Sequence, residues 1–275
     1  MKLRNNSMEE NIERLKSKDT TILSTGFDDL DDNIGELRKG ELIVVASRPT
    51  MGKTSLVFNI ATNIAIRKNA IVAIFSLEMS KEQCVKRLDN AELSLMRHMS
   101  KNNKTKDMDA IEKVARRLSE AKFFIDDTPS LKVQEIEDKC IKLKETEGLE
   151  LVVIDYLQLI QNEECEDDIC IELKKMSQRL DVTIIVTSQL SRMPMERFEA
   201  DNDPTPVISD ISSNISRIAD VLLFIHRDDY YYENSEKPNV ADIIIAKNKF
   251  GDTGTIELLF DKMSIRYVNF EEKYV

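Results

Sequence analysis

The sequence predicts an α/β fold in which helices flank a central, mostly parallel sheet. Continuous apolar runs at 41–46, 70–76 and 150–154 are typical of buried strands, and segments with apolar residues at helical spacing lie between them. Strands that are buried on both faces and joined by helices predict a parallel sheet covered on both sides.

The remaining elements follow from the same two periodicities. Apolar residues at helical spacing predict helices at 55–68, 80–98, 107–121, 132–147 and 169–180. Short strand patterns occur at 122–126, 182–187, 220–226, 241–247, 254–260 and 264–270. The last four follow one another with few helices, which predicts extra C-terminal strands at one edge of the sheet and leaves an antiparallel arrangement open.

The N-terminal residues differ from the rest of the chain. Residues 7–18 suit a short charged helix whose thin apolar stripe rests on Ile12 and Leu15. Such a helix buries little by itself, so we expect it either to dock on a partner or to fray. We therefore predict an N-terminal appendage at 1–18 and one α/β domain at 19–275.

Composition limits the class of protein. Of the 275 residues, 41% are hydrophobic and 32% are charged, as in ordinary globular domains. No apolar run reaches about 18 residues, and no apolar stretch follows the N-terminal positive charges, so neither a membrane span nor a secretory signal is expected. The four cysteines form no C-x-x-C pair, which favours reduced thiols in a cytoplasmic protein over a zinc site.

The chain carries a formal net charge of −11. Such an acidic chain does not suit a protein that contacts DNA over its whole surface. Any contact with nucleic acid therefore depends on a local basic patch, or on a ring of subunits that concentrates such patches.

A phosphate-binding loop follows the strand at 41–46. It reads SRPTMGKT, and its first position departs from the Walker A pattern, which has glycine there. Gly52 lets the backbone approach phosphates, Lys53 reaches the β- and γ-phosphates, and the Thr54 hydroxyl suits Mg²⁺. The residues predicted to bind the nucleoside triphosphate are Ser47, Arg48, Pro49, Thr50, Met51, Gly52, Lys53, Thr54 and Ser55.

Three polar side chains follow predicted strands at the same edge of the sheet. Asp155 ends the run ELVVID, where a carboxylate holds Mg²⁺ through water. Glu78 follows the strand at 70–76, where it either activates the attacking water or caps the next helix. Gln189 follows the strand at 182–187, where its amide either senses a γ-phosphate or merely ends the strand with a polar group.

In this order, these elements resemble the C-terminal motor domain of DnaB-type replicative helicases, a branch of the RecA-like ATPases. The resemblance covers roughly residues 19–270. The segments that carry it are STGFDDLDDNIGELRKGELIVVASRPTMGKTS, FSLEMSKEQCVKRL, VVIDYLQLI, SQLSR, ADVLLFIHRDDYY and IIIAKNKFGDTGTIELLF. The family also tends to lack the first Walker glycine, and its N-terminal helical domain has no counterpart in this sequence.

The resemblance implies a RecA-like P-loop NTPase fold and a hexameric or other ring, with ATP and Mg²⁺ at the subunit interfaces. It also implies single-stranded DNA in the central channel, with a loader or primase as further partners. Carried over to this chain, Lys53 and Thr54 are the P-loop pair and Glu78 is the catalytic base. Asp155 is the Walker B acid and Gln189 is the phosphate sensor, and residues 7–18 resemble a linker helix that docks on a neighbouring subunit.

One departure from the family concerns catalysis. The family ends a late strand with Lys-x-Arg, whose arginine reaches the γ-phosphate of the neighbouring subunit. Here the site contains Lys247 and Lys249, so the expected arginine finger is a lysine. Lysine keeps the charge but loses the planar fork, and such fingers are worth about 10³–10⁵ in rate in other NTPases, so we expect slower hydrolysis.

Two further departures concern the segments that line the DNA channel in the family. The segment after Asp155 is short and acidic, QNEECEDDICIEL, and acidic side chains repel phosphates. The segment at 208–220 lacks the family's charged Arg-Glu-Ser-Gly stretch. The remaining cations, which we take as candidate DNA contacts, are Arg192, Arg197 and Arg217.

Three hypotheses remain open from sequence. The chain is a helicase motor that moves 5′ to 3′ on DNA, or an ATP-binding accessory protein that assembles with a helicase or with itself. The third is a RecA-like recombination ATPase, although SLEMS and DYLQLI favour the helicase branch.

Overall fold

In the computed structural model, which describes residues 23–99, 107–161, 166–190 and 203–270, nine strands form one sheet. The strands are β1 (Leu42–Ser47), β2 (Val72–Ser76), β3 (Phe123–Asp126), β4 (Leu151–Asp155), β5 (Thr183–Gln189), β6 (Val221–His226), β7 (Val240–Asn248), β8 (Gly254–Asp261) and β9 (Arg266–Asn269). Their order is β3-β2-β4-β5-β1-β6-β7-β8-β9. The first six are mutually parallel, and β7 to β9 add antiparallel strands at one edge, which confirms the predicted fold class.

Helices cover both faces of the sheet. They are α1 (Asp28–Ile34), α2 (Lys53–Lys68), α3 (Lys81–Met99), α4 (Asp107–Glu120), α5 (Val133–Glu147), α6 (Glu166–Leu180), α7 (Ser213–Ile218) and α8 (Asp228–Tyr231), with 3-10 turns at Leu157–Leu159 and Ile208–Asp210. The predicted start of α6 at residue 169 is wrong, because the acidic residues 166–168 form its first turn. Negative charge is favourable there because the helix dipole is positive at the N-terminus.

The alternation of side chains along each strand divides the core into two layers. On β1, Ile43 and Val45 face one layer, which α1 and α2 cover, whereas Leu42 and Val44 face the other, which α5 and α6 cover. All four side chains are buried. Fully burying an aliphatic side chain contributes about 1.5–3 kcal/mol, so both layers stabilise the central strands and fix the positions of their ends.

The helix predicted at 7–18 lies wholly outside the described residues, so its docking stays a prediction. Of the four cysteines predicted to be reduced, one also lies outside the described residues. Cys84, Cys140 and Cys170 are buried free thiols, whereas Cys165 is not described. Among the described helices, none combines the length and apolar character that crossing a membrane requires.

Candidate active site

The carboxyl ends of the parallel strands bring the predicted site residues to one edge of the sheet. Ser47 of β1 pairs with Gln189 of β5, and Ser76 of β2 pairs with Asp155 of β4. Because β4 and β5 are themselves neighbours, the phosphate-binding loop, Asp155 and Gln189 all face the same crevice.

The loop between β1 and α2 has the backbone geometry of a phosphate cradle. Thr50 has a φ of 66° and Gly52 a φ of 103°, so the chain turns through left-handed conformations that glycine adopts freely and threonine seldom does. Helix α2 then starts at Lys53 with Gly52 as its N-cap, which offers no side chain to its first N–H groups. Those N–H groups and the helix dipole therefore favour an anion.

The last strand pair supports this loop from below. The hydroxyl of Tyr267 on β9 donates a hydrogen bond of 2.9 Å to the carbonyl oxygen of Met51. A Cβ at Gly52 would collide with that hydroxyl and would lie 3.3 Å from the Phe260 ring. Glycine is thus required at position 52 both by its φ and by the close approach of Tyr267. Sequence reasoning missed Tyr267, since nothing local to it marks a residue of the site.

Lys53 is a buried cation that faces the crevice. It is 8% exposed, and its ammonium donates a long hydrogen bond of 3.4 Å to the carbonyl oxygen of Ser47. Burial lowers the pKa of Lys53, and the carboxylates of Asp155 and Glu78 oppose that shift. A negatively charged ligand in the crevice would stabilise the charged form of this buried ammonium.

Thr54 and Asp155 form the oxygen pair that the sequence predicts for Mg²⁺. The Thr54 hydroxyl donates a hydrogen bond of 2.7 Å to Oδ2 of Asp155. Oδ1 of Asp155 accepts a short hydrogen bond from the Thr187 hydroxyl on β5, which fixes the carboxylate plane. Hydroxyl and carboxylate oxygens are the ligands that Mg²⁺ prefers, so these residues fit the ion. Thr187 is a second residue that sequence reasoning missed.

The structure separates the two interpretations of Glu78. Helix α3 is capped by Ser80 and Gln83: the backbone N–H of Gln83 donates to the Ser80 hydroxyl, and the backbone N–H of Ser80 donates to Oε1 of Gln83. The Glu78 side chain is exposed, and the preceding N–H of Leu77 donates to the Asp155 carbonyl oxygen over 2.8 Å. The capping role therefore belongs to Ser80, and the exposed Glu78 carboxylate, like that of Asp155, is close enough to Lys53 to act on its ammonium.

Gln189 is held by a partner that sequence reasoning did not assign. The Gln189 N–H donates to Oε1 of Gln158 over 3.1 Å, and Nε2 of Gln158 donates to the Gln189 carbonyl oxygen over 3.3 Å. The same Nε2 donates to the hydroxyl of Ser188 and to the carboxylate of Glu166. The polar end of β5 is thereby attached through the Gln189 backbone to the segment after β4, and the side chain of Gln189 is exposed.

Comparison with known proteins identifies the lineage. The family described as "DnaB-like helicase C terminal domain" matches residues 23–269. The chain belongs to this family. It is 41% identical to the replicative DNA helicase DnaB of Geobacillus stearothermophilus over 96% of this chain, but it spans 61% of that relative's length.

Two solved structures of the DnaB-like class are similar to this chain throughout. "ATPase Domain of G40P" aligns with a TM-score of 0.84 and 30% identity, covering 97% of this chain and 98% of that one. "The Structure Of A DnaB-Like Replicative Helicase And Its Interactions With Primase" aligns with a TM-score of 0.82 and 30% identity, covering 97% of this chain and 66% of that one. The predicted resemblance and the RecA-like fold are therefore confirmed.

Lys247 and Lys249, which occupy the position where the family resemblance places the finger, lie at the opposite end of the parallel strands from the phosphate loop. Strand β7 runs antiparallel to β6, so its end is beside the start of β6 and about 20 Å, the length of a six-residue strand, from the phosphate-loop edge. Lys249 forms an ion pair of 2.7 Å with Asp220. Lys247 donates to the carbonyl oxygens of Ser216 and Arg217 at the end of α7. A lysine side chain cannot span that distance to its own phosphate loop.

The candidate DNA contacts are separated in the structure. Arg192 and Arg197 lie outside the described residues, and their role stays a prediction. Arg217 ends α7, where its guanidinium donates to Oδ1 of Asn214 and its carbonyl accepts from Lys247. The guanidinium of Arg217 is thus hydrogen-bonded within α7, and its contact with DNA stays a prediction.

The acidic segment after Asp155, which is predicted to repel DNA, also makes hydrogen bonds within the domain. Asp167, in the first turn of α6, accepts hydrogen bonds from the Ser212 hydroxyl and from the Asn214 side-chain amide. Ser212 is itself the N-cap of α7, because its hydroxyl accepts from the Asn214 N–H. At least one of these carboxylates therefore fastens α7 to α6.

Proposed function

We propose that this domain binds ATP and Mg²⁺ at the carboxyl edge of its sheet and couples ATP hydrolysis to movement along single-stranded DNA, as a DnaB-type replicative helicase. The observation that carries the proposal is the Thr54–Asp155 pair, at 2.7 Å, beside the buried ammonium of Lys53. Family membership supports the choice of ATP and of DNA.

Each residue at the edge has a separate task in the proposed reaction. Backbone N–H groups at 50–53 and the Lys53 ammonium bind the β- and γ-phosphates. Thr54 and Asp155 would hold Mg²⁺, which would supply positive charge next to the transferred phosphoryl group. Glu78 accepts the proton of the attacking water at its exposed carboxylate, and Gln189 donates from its amide to a γ-phosphate oxygen.

The proposed site is completed by a second copy of the chain. Lys249 is too far from its own phosphate loop to act there, so it would act on the neighbour's nucleotide. A contact between two different edges of the subunit is heterologous, and such contacts form a ring where the rotation between subunits closes. We therefore propose a ring of subunits, hexameric as the resemblance implies, with ATP at its interfaces. A loader or a primase would be a further partner, and one similar structure is titled for its interactions with primase.

A second candidate function is an ATP-binding accessory protein that assembles with a helicase. The lysine at position 249 favours it, because a lysine finger stabilises transition-state charge less well than the planar guanidinium of arginine. The acidic first turn of α6 favours it too, since the segment after Asp155 lines the DNA channel in the family.

One experiment separates the two functions. ATP hydrolysis is measured with and without single-stranded DNA, and nucleotide binding is measured in parallel, with Lys53→Ala as the inactive control. A helicase motor hydrolyses ATP faster when DNA is present. Hydrolysis that ignores DNA while ATP still binds would exclude the motor and leave the accessory function.

A further inference from the structure

The end of β7 carries an ion network centred on the buried carboxylate of Asp220. The buried carboxylate of Asp220 accepts from Lys249 at Oδ1 over 2.7 Å. Its Oδ2 accepts from the Lys174 ammonium on α6 over 2.6 Å and from the Leu42 N–H on β1 over 2.8 Å. The Asp220 carboxylate therefore binds two ammonium groups, and the buried carboxyl of Glu41 interacts electrostatically with both Asp220 and Lys174.

The two lysines in this network differ in exposure. The side chain of Lys174 is 18% exposed, whereas that of Lys249 is 42% exposed. Burial alone would raise the pKa of Asp220, but the hydrogen bonds from both lysines hold it below its usual range, so the carboxylate stays ionised. Of the two lysines bound to this carboxylate, Lys249 is therefore the more accessible from the surface.

Lys249 is bound to Asp220 through both its backbone and its side chain. Its backbone N–H donates to the Asp220 carbonyl oxygen over 3.0 Å, and its ammonium binds the Asp220 carboxylate. A free lysine side chain samples many rotamers, and ordering it costs conformational entropy. A lysine that is already ordered loses less entropy when a phosphate approaches.

We propose that Asp220 is a positioning residue that holds Lys249 in the orientation from which it serves the nucleotide of the neighbouring subunit. This inference rests on the proposed function. It explains how a lysine can stand where the family has arginine: Asp220 supplies the rigidity that a lysine lacks and a guanidinium has. Asp220 itself touches no nucleotide.

The direct test is ATP hydrolysis by assembled Asp220→Asn. We expect the rate to fall at least about tenfold, a part of the roughly 10³–10⁵-fold that finger residues provide in other NTPases, with little change in KM for ATP. Lys174→Met is the matched control, because it removes the other lysine from the same carboxylate. It should share any loss of thermal stability and keep the wild-type rate. A wild-type rate for Asp220→Asn would overturn the inference.

A mixing experiment separates positioning in trans from a structural role. Asp220→Asn subunits are assembled with an excess of Lys53→Ala subunits, which have no working phosphate loop but an intact Lys249. Wild-type subunits mixed with Lys53→Ala at the same ratio give the reference rate. We expect the Asp220→Asn mixture to recover to that reference, because each working phosphate loop then faces an intact neighbour. A Lys249→Met mixture should recover likewise, and a mixture that stays impaired contradicts the inference.

The controls keep two failures apart. If wild-type protein shows no DNA-stimulated hydrolysis, the proposed function fails. If wild-type protein is stimulated but Asp220→Asn is not rescued, this inference alone fails. Should Asp220→Asn not fold, Asp220→Glu keeps the charge beside Lys174 and displaces the carboxylate by one methylene. The same loss and the same rescue are expected, and a wild-type rate would again count against the positioning role.

Discussion

Gln158 and Gln189 are joined by two hydrogen bonds of opposite sense, 3.1 Å and 3.3 Å long, at the end of β5. Gln158 donates in addition to Glu166 at the start of α6. One amide side chain therefore connects the predicted phosphate sensor to the acidic segment that follows β4. A displacement of either one would therefore move this amide and alter its hydrogen bonds to the other.

Replacing Gln158 by glutamate should disconnect the sensor. The carboxylate cannot donate to Ser188 or to the Gln189 carbonyl, and it faces the like charge of Glu166. We expect a lower kcat with DNA present, an unchanged affinity for ATP, and a stability loss of about 1 kcal/mol. Gln161→Glu adds the same charge at an exposed position nearby and should leave kcat unchanged. A normal kcat for Gln158→Glu would show that Gln189 needs no such support.

Thr187→Val should weaken the Mg²⁺ site. The variant deletes the hydroxyl that binds Oδ1 of Asp155, a hydrogen bond to a charged group worth about 1.5–3 kcal/mol. We expect a higher Mg²⁺ concentration for half-maximal hydrolysis. Thr183→Val, on the same strand, removes an equally buried hydroxyl that donates to the carbonyl oxygen of Arg38, far from the site. It should lower stability but leave the Mg²⁺ dependence intact, and equal Mg²⁺ curves for both variants would refute the idea.

Tyr267→Phe should loosen the phosphate loop. The Met51 carbonyl loses its 2.9 Å partner in a buried place, so we expect a loss of about 1 kcal/mol in the free energy of unfolding. Nucleotide affinity should fall severalfold, which a fluorescent ATP analogue would report. Tyr230→Phe, whose ring is 52% exposed, is the control for the chemistry of the substitution. Wild-type affinity in Tyr267→Phe would mean that the loop holds its shape unaided.

Nucleotide affinity should depend on pH through Lys53. Burial lowers its pKa below the ordinary value of 10.5, and bound phosphate favours the charged ammonium. Affinity is therefore full below the lowered pKa of the free protein and is lost as the pH rises through it. Titrations from about pH 7 to about pH 10 should show weaker binding and proton uptake that Lys53→Ala lacks. A flat profile up to the ordinary value would contradict the shift.

Lys249→Arg should hydrolyse ATP faster than the wild type in an assembled ring. A guanidinium keeps the ion pair with Asp220 and adds a planar fork for phosphate oxygens, so we expect at least about a tenfold gain. Lys262→Arg changes another lysine that is ion-paired to an aspartate, Asp229, at 2.7 Å and should have no effect. An unchanged rate for Lys249→Arg would remove Lys249 from the reaction.

The sequence alone predicts the placement of those site residues that are marked by a local motif or by the end of a strand. Asp155 and Gln189 each end a strand, and parallel strands bring such ends to one edge, so their placement needed no knowledge of which strands are neighbours. Lys53 and Thr54 follow from their motif in the same way. The antiparallel edge strands were predicted as strands, but their direction was not.

The residues that sequence reasoning missed make contacts across large separations. Tyr267 reaches the loop at Met51 only because β9 returns towards α2, and Asp220 holds Lys249 only because β6 and β7 pair in one register. Asp167 was read as a channel acid because its partners, Ser212 and Asn214, come more than 40 residues later. Sheet order and register decide such contacts, and a single sequence gives no direct signal of either.

The support that Tyr267 gives to the phosphate loop also affects the order in which the domain is completed during synthesis. A ribosome delivers Met51 more than 200 residues before Tyr267, so the loop emerges long before its buttress. During synthesis the nascent domain passes through a stage in which the GKT segment is complete in covalent structure but its glycine turn is unsupported. The domain would then bind nucleotide only late in synthesis, when the final strands join the sheet. A chain that ended before those strands would contain the motif but would bind nucleotide weakly.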